Sequence, residues 1–242
     1  EVSPYVVMTK EDQKLFIGSP NLYPTIALVD PLLTVTMPKK VTASTGLDAL
    51  SHAVEGFTAR PAPFSDAMAT KAVEYTFEYL EKACEDGDNL EARFYMSYAS
   101  VLGMMAYIQG GGLYAHSCSY ILTLYNNTPH GIGCGVALPH TLMFNLDFIR
   151  DTLAKYARTV DPDIRGTGKE LSVAMVEKFF QLLDRVEAPS SLRELGVPEK
   201  MIPNFAKELM GKYYRIKNPR PMNESEALKF VKLMWEGRLE RF

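Results

Sequence analysis

An aspartate and a histidine lie four residues apart in a segment that reads GLDALSHAVEG, and more histidines follow downstream. Asp48 and His52 occupy positions i and i+4, which share one face of a helix, so a carboxylate oxygen and an imidazole nitrogen can point to the same place. His116 follows three glycines, and His130 lies in a Pro-His-Gly turn that can open a helix. One aspartate and three histidines form a donor set that suits a divalent first-row metal such as iron or zinc.

Each of these residues also has an ordinary structural interpretation. A carboxylate and an imidazole at i and i+4 can form a simple helix contact, and a histidine in an apolar helix is usually a hydrogen-bonded core residue. We interpret His140, in the sequence LPHT, as such a core residue, with a place in the lining of a pocket as the alternative. The metal site is therefore a hypothesis that requires distant residues to converge.

Longer strings around these residues resemble signatures of the iron-containing (group III) alcohol dehydrogenases. The matching strings are MPKKVTASTGLDALSHAVEG at 37–56, LYNNTPHG at 124–131, ALPH at 137–140 and NPRP at 218–221. Residues 1–31 are similar to the family's mid-chain segment, where a β-hairpin leads into a helical half. The resemblance therefore extends over essentially the whole chain.

The resemblance implies that the metal ligands are Asp48, His52, His116 and His130. It implies Fe²⁺ as the metal, with Zn²⁺ as the alternative, and hydride transfer between a primary alcohol or its aldehyde and NAD(P). A metal in such a site polarises the substrate oxygen as a Lewis acid. Glycerol dehydrogenase, dehydroquinate synthase and maleylacetate reductase share the fold, but the long matches and the complete ligand set favour the alcohol dehydrogenases.

Two further residues are candidates for the reaction. Many relatives have an extra histidine four residues after the one that matches His116, and this chain has Tyr120 there. A phenol can donate a hydrogen bond or relay a proton, although its ordinary pKa is about 10; water, the nucleotide ribose or a mere packing role are the alternatives. Lys14 is a candidate to bind the ribose or phosphate of the cofactor, and an exposed turn lysine is the alternative.

The family pattern predicts a mainly α fold. Residues 39–242 would form an all-helical metal-binding domain, and residues 1–38 a short β segment that would complete an upstream α/β nucleotide-binding domain. We therefore interpret the chain as the C-terminal portion of a longer enzyme that is homo-oligomeric when intact, and we expect the fragment alone to be inactive. The alternative is a non-catalytic helical metal-binding module, or an inactive remnant that lacks the nucleotide domain.

Local patterns predict where the elements lie. Two apolar runs flank a polar turn at residues 9–13 and predict a hairpin, and residues 25–31 form a candidate buried strand that Pro31 ends. Ser65 is a candidate N-cap, and Asn223 with Glu226 resembles a capping box. The remaining helices are predicted from their apolar spacing at 90–109, 115–125, 131–145 and 173–183, with one more starting at Pro198.

Composition limits the possible partners. The net charge of −3 and the lack of a basic patch argue against nucleic acid, and no apolar run is long enough to cross a bilayer. The three cysteines lack CxxC spacing, so we expect free thiols and a cytoplasmic protein. Among them we expect Cys118, which lies close in sequence to His116, to be nearest the site. A small alcohol or aldehyde is the expected substrate.

Overall fold

The computed structural model describes residues 2–11 and 13–242, and it confirms the mainly α fold. Within those residues the helices are α1 (Lys39–Ala59), α2 (Pro63–Glu85), α3 (Leu90–Gly110), α4 (Tyr114–Asn126), α5 (His130–Asn145), α6 (Arg150–Val160), α7 (Gly168–Arg185), α8 (Ile202–Met210) and α9 (Glu224–Glu236). None of the helices described there is both long and apolar enough to span a membrane.

The predicted hairpin is present before the helices. Strand β1 (Tyr5–Lys10) pairs antiparallel with β2 (Gln13–Gly18), and Tyr5 lies opposite Gly18. Several apolar side chains of both strands are exposed, including Phe16 at 49%. A two-stranded ribbon is marginal by itself, so its position depends on contacts with its surroundings, such as those of Tyr5 with Tyr107 of α3.

The prediction of a buried strand at residues 25–31 is wrong. Residues 25–29 have no regular structure, and Ile26 and Leu28 are exposed at 81% and 84%. Asp30 then caps a short 3₁₀ turn, Pro31–Thr34, by accepting a hydrogen bond from the Leu32 amide at 2.9 Å. An apolar run needs a neighbouring strand to become a buried one, and the described residues supply no partner here.

The helix signals were partly correct. Asn223 and Glu226 form the predicted capping box of α9. Ser65 is not an N-cap: α2 begins at Pro63, and the Ser65 hydroxyl donates back to the Ala62 carbonyl at 3.1 Å. Proline fixes the helical φ at the first position of a helix and gives up no hydrogen bond there, so it sets the start of α2 ahead of the serine.

Helix α1 is central and packs against α2, α3 and α5. Two glycines allow this close packing. A Cβ on Gly56 would lie 2.4 Å from the Tyr107 Cα of α3, and a Cβ on Gly131 would lie 1.8 Å from the Ser44 carbonyl oxygen of α1. Since any side chain there would collide with backbone, the glycines bring α3 and the start of α5 close to α1. The helices that carry the candidate ligands are thereby held together.

Candidate metal centre

The structure brings all four sequence-predicted ligands into one cluster. Asp48 and His52 lie on one face of α1, His116 lies in the first turn of α4, and His130 is the first residue of α5. The Nε2 atoms of His52, His116 and His130 lie 3.9, 3.8 and 3.5 Å from Asp48 Oδ1. Three imidazoles therefore face one carboxylate oxygen.

Two atoms in this cluster are buried without a hydrogen-bond partner among the described residues. They are Asp48 Oδ1 and His116 Nε2, which face each other at 3.8 Å. An unpartnered buried polar atom destabilises a fold by about 1–3 kcal/mol, so two such atoms that converge need an explanation. A divalent cation that both atoms coordinate would supply it, and the oxygen and nitrogen donor set fits iron or zinc.

Glu55 orients His116, and sequence inspection did not identify it. It is fully buried one turn after His52; its Oε2 contacts His116 Nδ1, and its Oε1 accepts a hydrogen bond from the Ala115 amide at 2.8 Å. Burial opposes its ionisation, but its interactions with His116 outweigh burial and lower the pKa of Glu55. An ionised carboxylate fixes the proton on Nδ1, which leaves the lone pair on Nε2 free to face Asp48.

Ser119 has the same role toward His130. Its hydroxyl oxygen lies 2.6 Å from His130 Nδ1 and 2.7 Å from the His130 carbonyl oxygen. A hydroxyl has one proton, and a carbonyl can only accept, so Ser119 donates to the carbonyl and accepts from Nδ1. The proton of a neutral His130 is therefore on Nδ1, and its Nε2 lone pair faces the cluster.

Burial keeps these groups in the protonation states that metal binding requires. It lowers the pKa of His52 to about 4 and also lowers that of His130. Burial alone would raise the pKa of Asp48, but the neighbouring histidines, His52 first, outweigh it and lower the pKa. Near neutral pH the cluster thus presents a carboxylate beside the neutral imidazoles of His52 and His130, the forms that bind a cation.

Tyr120 lies beside the cluster. Its ring stacks on His130 with centroids 5.5 Å apart and planes at 18°, and the Arg215 guanidinium lies 5.7 Å from the centre of the ring. Burial raises the pKa of Tyr120 to about 12, although the charge of Arg215 opposes that effect. The phenol is therefore neutral near pH 7 and can donate a hydrogen bond. Like Glu55 and Ser119, Arg215 was not selected from the sequence.

Lys14 lies on the hairpin and is outside the cluster. Its ammonium donates to the Thr9 hydroxyl at 2.7 Å across the hairpin, and its backbone amide donates to the Tyr213 hydroxyl at 3.4 Å. Its charge is nevertheless close enough to contribute to lowering the pKa of His130. The lysine therefore lies on the cluster's side of the chain, and its role in cofactor binding stays a prediction.

Cys134, not Cys118, is the thiol nearest the cluster. It follows His130 by one turn of α5, and its sulfur lies 3.7 Å from His130 Nε2. Cys118 packs in the apolar core, as does His140, whose ring contacts Phe180 edge-on at 6.2 Å. The i, i+4 spacing from His130 was the available signal for Cys134. Burial and aromatic contacts confirm that His140 is a core residue, but its Nε2 lacks the expected hydrogen-bond partner among the described residues.

A cavity of about 490 Å³ opens beside Asp48 and His52. Asp30 and Arg93 contribute polar groups to its wall, and Leu28 and Met104 contribute apolar ones. The exposed segment 25–29 therefore borders the cavity with part of its length. This volume is within the range of small-molecule sites.

Comparison with known proteins shows the family of the chain. The C-terminal family model of the iron-containing alcohol dehydrogenases matches residues 42–235. The chain belongs to the iron-containing alcohol dehydrogenase family. This confirms the resemblance seen in the sequence. Relatives in the family include dehydrogenases that use NAD or NADPH.

Curated relatives and solved structures give the same result. The chain is 34% identical to the choline dehydrogenase of Bacillus subtilis, covering 93% of this chain and 56% of the relative. It is also 34% identical to the 1,3-propanediol dehydrogenase of Klebsiella pneumoniae, covering 93% and 59%. A crystal structure of 1,3-propanediol oxidoreductase matches with a TM-score of 0.90 and 32% identity, covering 96% and 62%. The chain thus spans about three fifths of the length of these relatives.

Proposed function

We propose that this chain is the metal-bearing part of an NAD(P)-dependent alcohol dehydrogenase that interconverts a primary alcohol and its aldehyde. Asp48, His52, His116 and His130 hold the metal, which is Fe²⁺ or alternatively Zn²⁺. The observation that supports this most strongly is the pair of converging, unpartnered buried atoms, Asp48 Oδ1 and His116 Nε2. We further propose that residues 1–38 complete a nucleotide-binding domain and that residues 39–242 form the metal-binding domain of a cytoplasmic, homo-oligomeric enzyme.

A divalent metal bound here would polarise the substrate oxygen and lower the pKa of an alcohol. The other contributions on this side of the reaction come from the chain's own residues. Glu55 and Ser119 keep the imidazole lone pairs directed at the metal, and the packed helices α1, α4 and α5 exclude water from behind the cluster. The 490 Å³ cavity borders the cluster at Asp48 and His52.

Tyr120 is the residue that we propose to handle the substrate proton. Its ring is fixed by stacking on His130, so its hydroxyl has a defined position beside the metal ligands. With a pKa raised to about 12, the phenol stays protonated and acts as a hydrogen-bond donor to a substrate oxygen. Arg215 over the ring stabilises a transient phenolate, which would allow a relayed proton to pass through Tyr120.

Lys14 is proposed to contact the ribose or a phosphate of NAD(P). The hairpin holds it on the side of the chain that also carries the metal cluster, and its ammonium donates a hydrogen bond to Thr9 on the exposed surface. That bond can be exchanged for one to an anionic phosphate without leaving a buried group unpaired.

Elemental analysis of protein purified without oxygen tests the metal site. We expect close to one Fe or Zn per chain in the wild type and little in His130→Ala, because the substitution removes a donor whose partners are already in place. Absence of metal from the wild type after incubation with Fe(II) and with Zn(II) would contradict the proposal. His140→Leu, a change in the apolar core, is the matched control and should retain the metal.

A second experiment tests the reaction. A full-length protein that contains this chain together with a nucleotide-binding domain should oxidise primary alcohols with NAD or NADP, and His130→Ala should abolish that activity. A metal-loaded, folded full-length protein that shows no turnover with a panel of primary alcohols and aldehydes would exclude the dehydrogenase and leave a metal-binding module.

A further inference from the structure

Cys134 lies in the metal cluster. Its sulfur, one nitrogen each from His116 and His130, and an oxygen of Asp48 all lie within 4.8 Å of one another. The side chain is fully buried, and its polar neighbours are His130, Asp48 and Ser119. The polar groups next to this thiol therefore belong to the site.

These distances are close to what a single ion requires. Nitrogen and oxygen donors lie about 2.0–2.2 Å from zinc and sulfur about 2.3 Å, so two donors on opposite sides of one ion are at most about 4.5 Å apart. The four ligand atoms of the cluster lie within 4.8 Å of one another, a bound that exceeds this maximum separation by a few tenths of an ångström. Small side-chain rotations would therefore place these four donors, those of Asp48, His116, His130 and Cys134, around the same ion.

Backbone geometry also directs the sulfur to the cluster. Cys134 and His130 are four residues apart on α5, so their side chains leave the helix on one face, as those of Asp48 and His52 do on α1. The unpartnered His116 Nε2, in a side chain that is only 1% exposed, points into the same space. Two helices thus each supply an i, i+4 pair of donors, and α4 supplies a single histidine.

We propose that Cys134 is a fifth protein donor to the metal, which shifts the preference of the site toward zinc or cobalt and away from harder cations such as manganese. This inference rests on the proposed metal site. On binding, the S–H bond breaks, the proton goes to solvent and a sulfur–metal bond forms, because the charge of the ion makes a coordinating thiol lose its proton. Thiolate is a soft ligand, and soft ligands select zinc over manganese.

Anaerobic titration of the full chain with Co(II) tests the proposal by absorption spectroscopy, independently of activity. We expect visible d–d bands from cobalt in the site together with a near-ultraviolet sulfur-to-cobalt charge-transfer band. The double variant Cys84→Ala/Cys118→Ala leaves Cys134 as the last of the three cysteines and should keep that band. The assignment therefore does not depend on whether a Cys134 variant folds.

Cys134→Ser supplies the complementary result. It should retain the d–d bands, lose the charge-transfer band and release one proton fewer on binding cobalt. Its Kd for Zn(II) should rise by at least the ~10-fold that loss of an outer partner typically causes, and its Kd for Mn(II) by less.

The possible failures are distinguishable. Visible cobalt bands without a sulfur band in the wild type would overturn the role of Cys134 and leave the four-ligand site intact. A sulfur band that disappears in the Cys84→Ala/Cys118→Ala variant would assign it to another thiol and also overturn the inference. Absence of any cobalt binding would overturn both this inference and the proposed metal site.

Discussion

His116 and His140 are nearly equally buried, at 1% and 3% exposure, and each has an Nε2 atom without a hydrogen-bond partner among the described residues. Their surroundings differ. His116 has Glu55 on its Nδ1 and faces the unpartnered Asp48 oxygen. His140 packs edge-on against Phe180 and Phe230, and burial alone lowers its pKa to about 3.

The difference shows that burial does not by itself identify a ligand. Two features mark His116. A carboxylate fixes its tautomer, and an unpartnered carboxylate oxygen that can bind the same metal lies in front of its free nitrogen. His130 has the same pair of features, with Ser119 in place of the carboxylate. His140 has neither feature, and its imidazole is an isolated polar group in a core position.

The largest expected effect is a difference in metal content between variants of these two histidines. We expect His116→Ala to lose bound metal because it removes a donor from a preformed set, and His140→Leu to keep it. Elemental analysis of both variants, with circular dichroism to establish that each is folded, makes the comparison. A folded His116→Ala that binds metal as tightly as the wild type would remove the distinction between the two sites.

The second prediction concerns the groups that hold the imidazoles. Glu55→Gln and Ser119→Ala should each weaken metal binding by about 10–100-fold, the typical effect of losing an outer hydrogen-bond partner. Competition with a chelator of known affinity measures the change. Glu177→Gln, at an exposed position on α7, is the matched control and should have no effect. Equal affinities for Glu55→Gln and the control would show that Glu55 serves only stability.

The third prediction concerns the pH dependence of stability in metal-free protein. An unfolded histidine has a pKa of about 6.5, whereas folded His140 has one of about 3. Between these values the unfolded state binds more protons, so stability is lost as the pH falls, by up to about 1.4 kcal/mol per pH unit from this group. The free energy of unfolding of His140→Leu, measured with urea, should therefore fall less steeply than that of the wild type between about pH 6 and about pH 4. Identical slopes would mean that His140 is not buried in its neutral form.

The smallest effect is expected on the hairpin. Lys14→Met should leave metal content unchanged and alter the free energy of unfolding by no more than about 0.5 kcal/mol, because its hydrogen bond to Thr9 is exposed. In a full-length enzyme the same change should raise KM for NAD(P), since a cationic contact is lost. Lys10→Met, on the other strand of the hairpin, is the control. If both variants change KM equally, the effect comes from general charge and not from Lys14.

Much of the helical fold was accessible from sequence because its signals are local. The bounds of α3, α4 and α5 agree with the predicted ranges to within one residue. The capping box at Asn223 and Glu226 also held, because its hydrogen bonds connect residues only three positions apart. The strand predicted at 25–31 failed because a strand depends on a partner, which local sequence does not specify.

The sequence by itself determined the donor types, the i, i+4 pair on α1 and, through its motifs, the family. Only the tertiary structure decided which side chains besides the four predicted ligands contact the cluster. Glu55 and His116 are 61 residues apart in the chain, and Arg215, which donates a hydrogen bond to the Ser117 hydroxyl of α4, is 98 residues from that serine. Such contacts depend on how α1, α4 and α5 pack, and no periodicity within one segment encodes them. Cys134 depends on both the sequence and the tertiary structure. Its spacing from His130 is local, but its approach to Asp48 requires α5 to pack against α1.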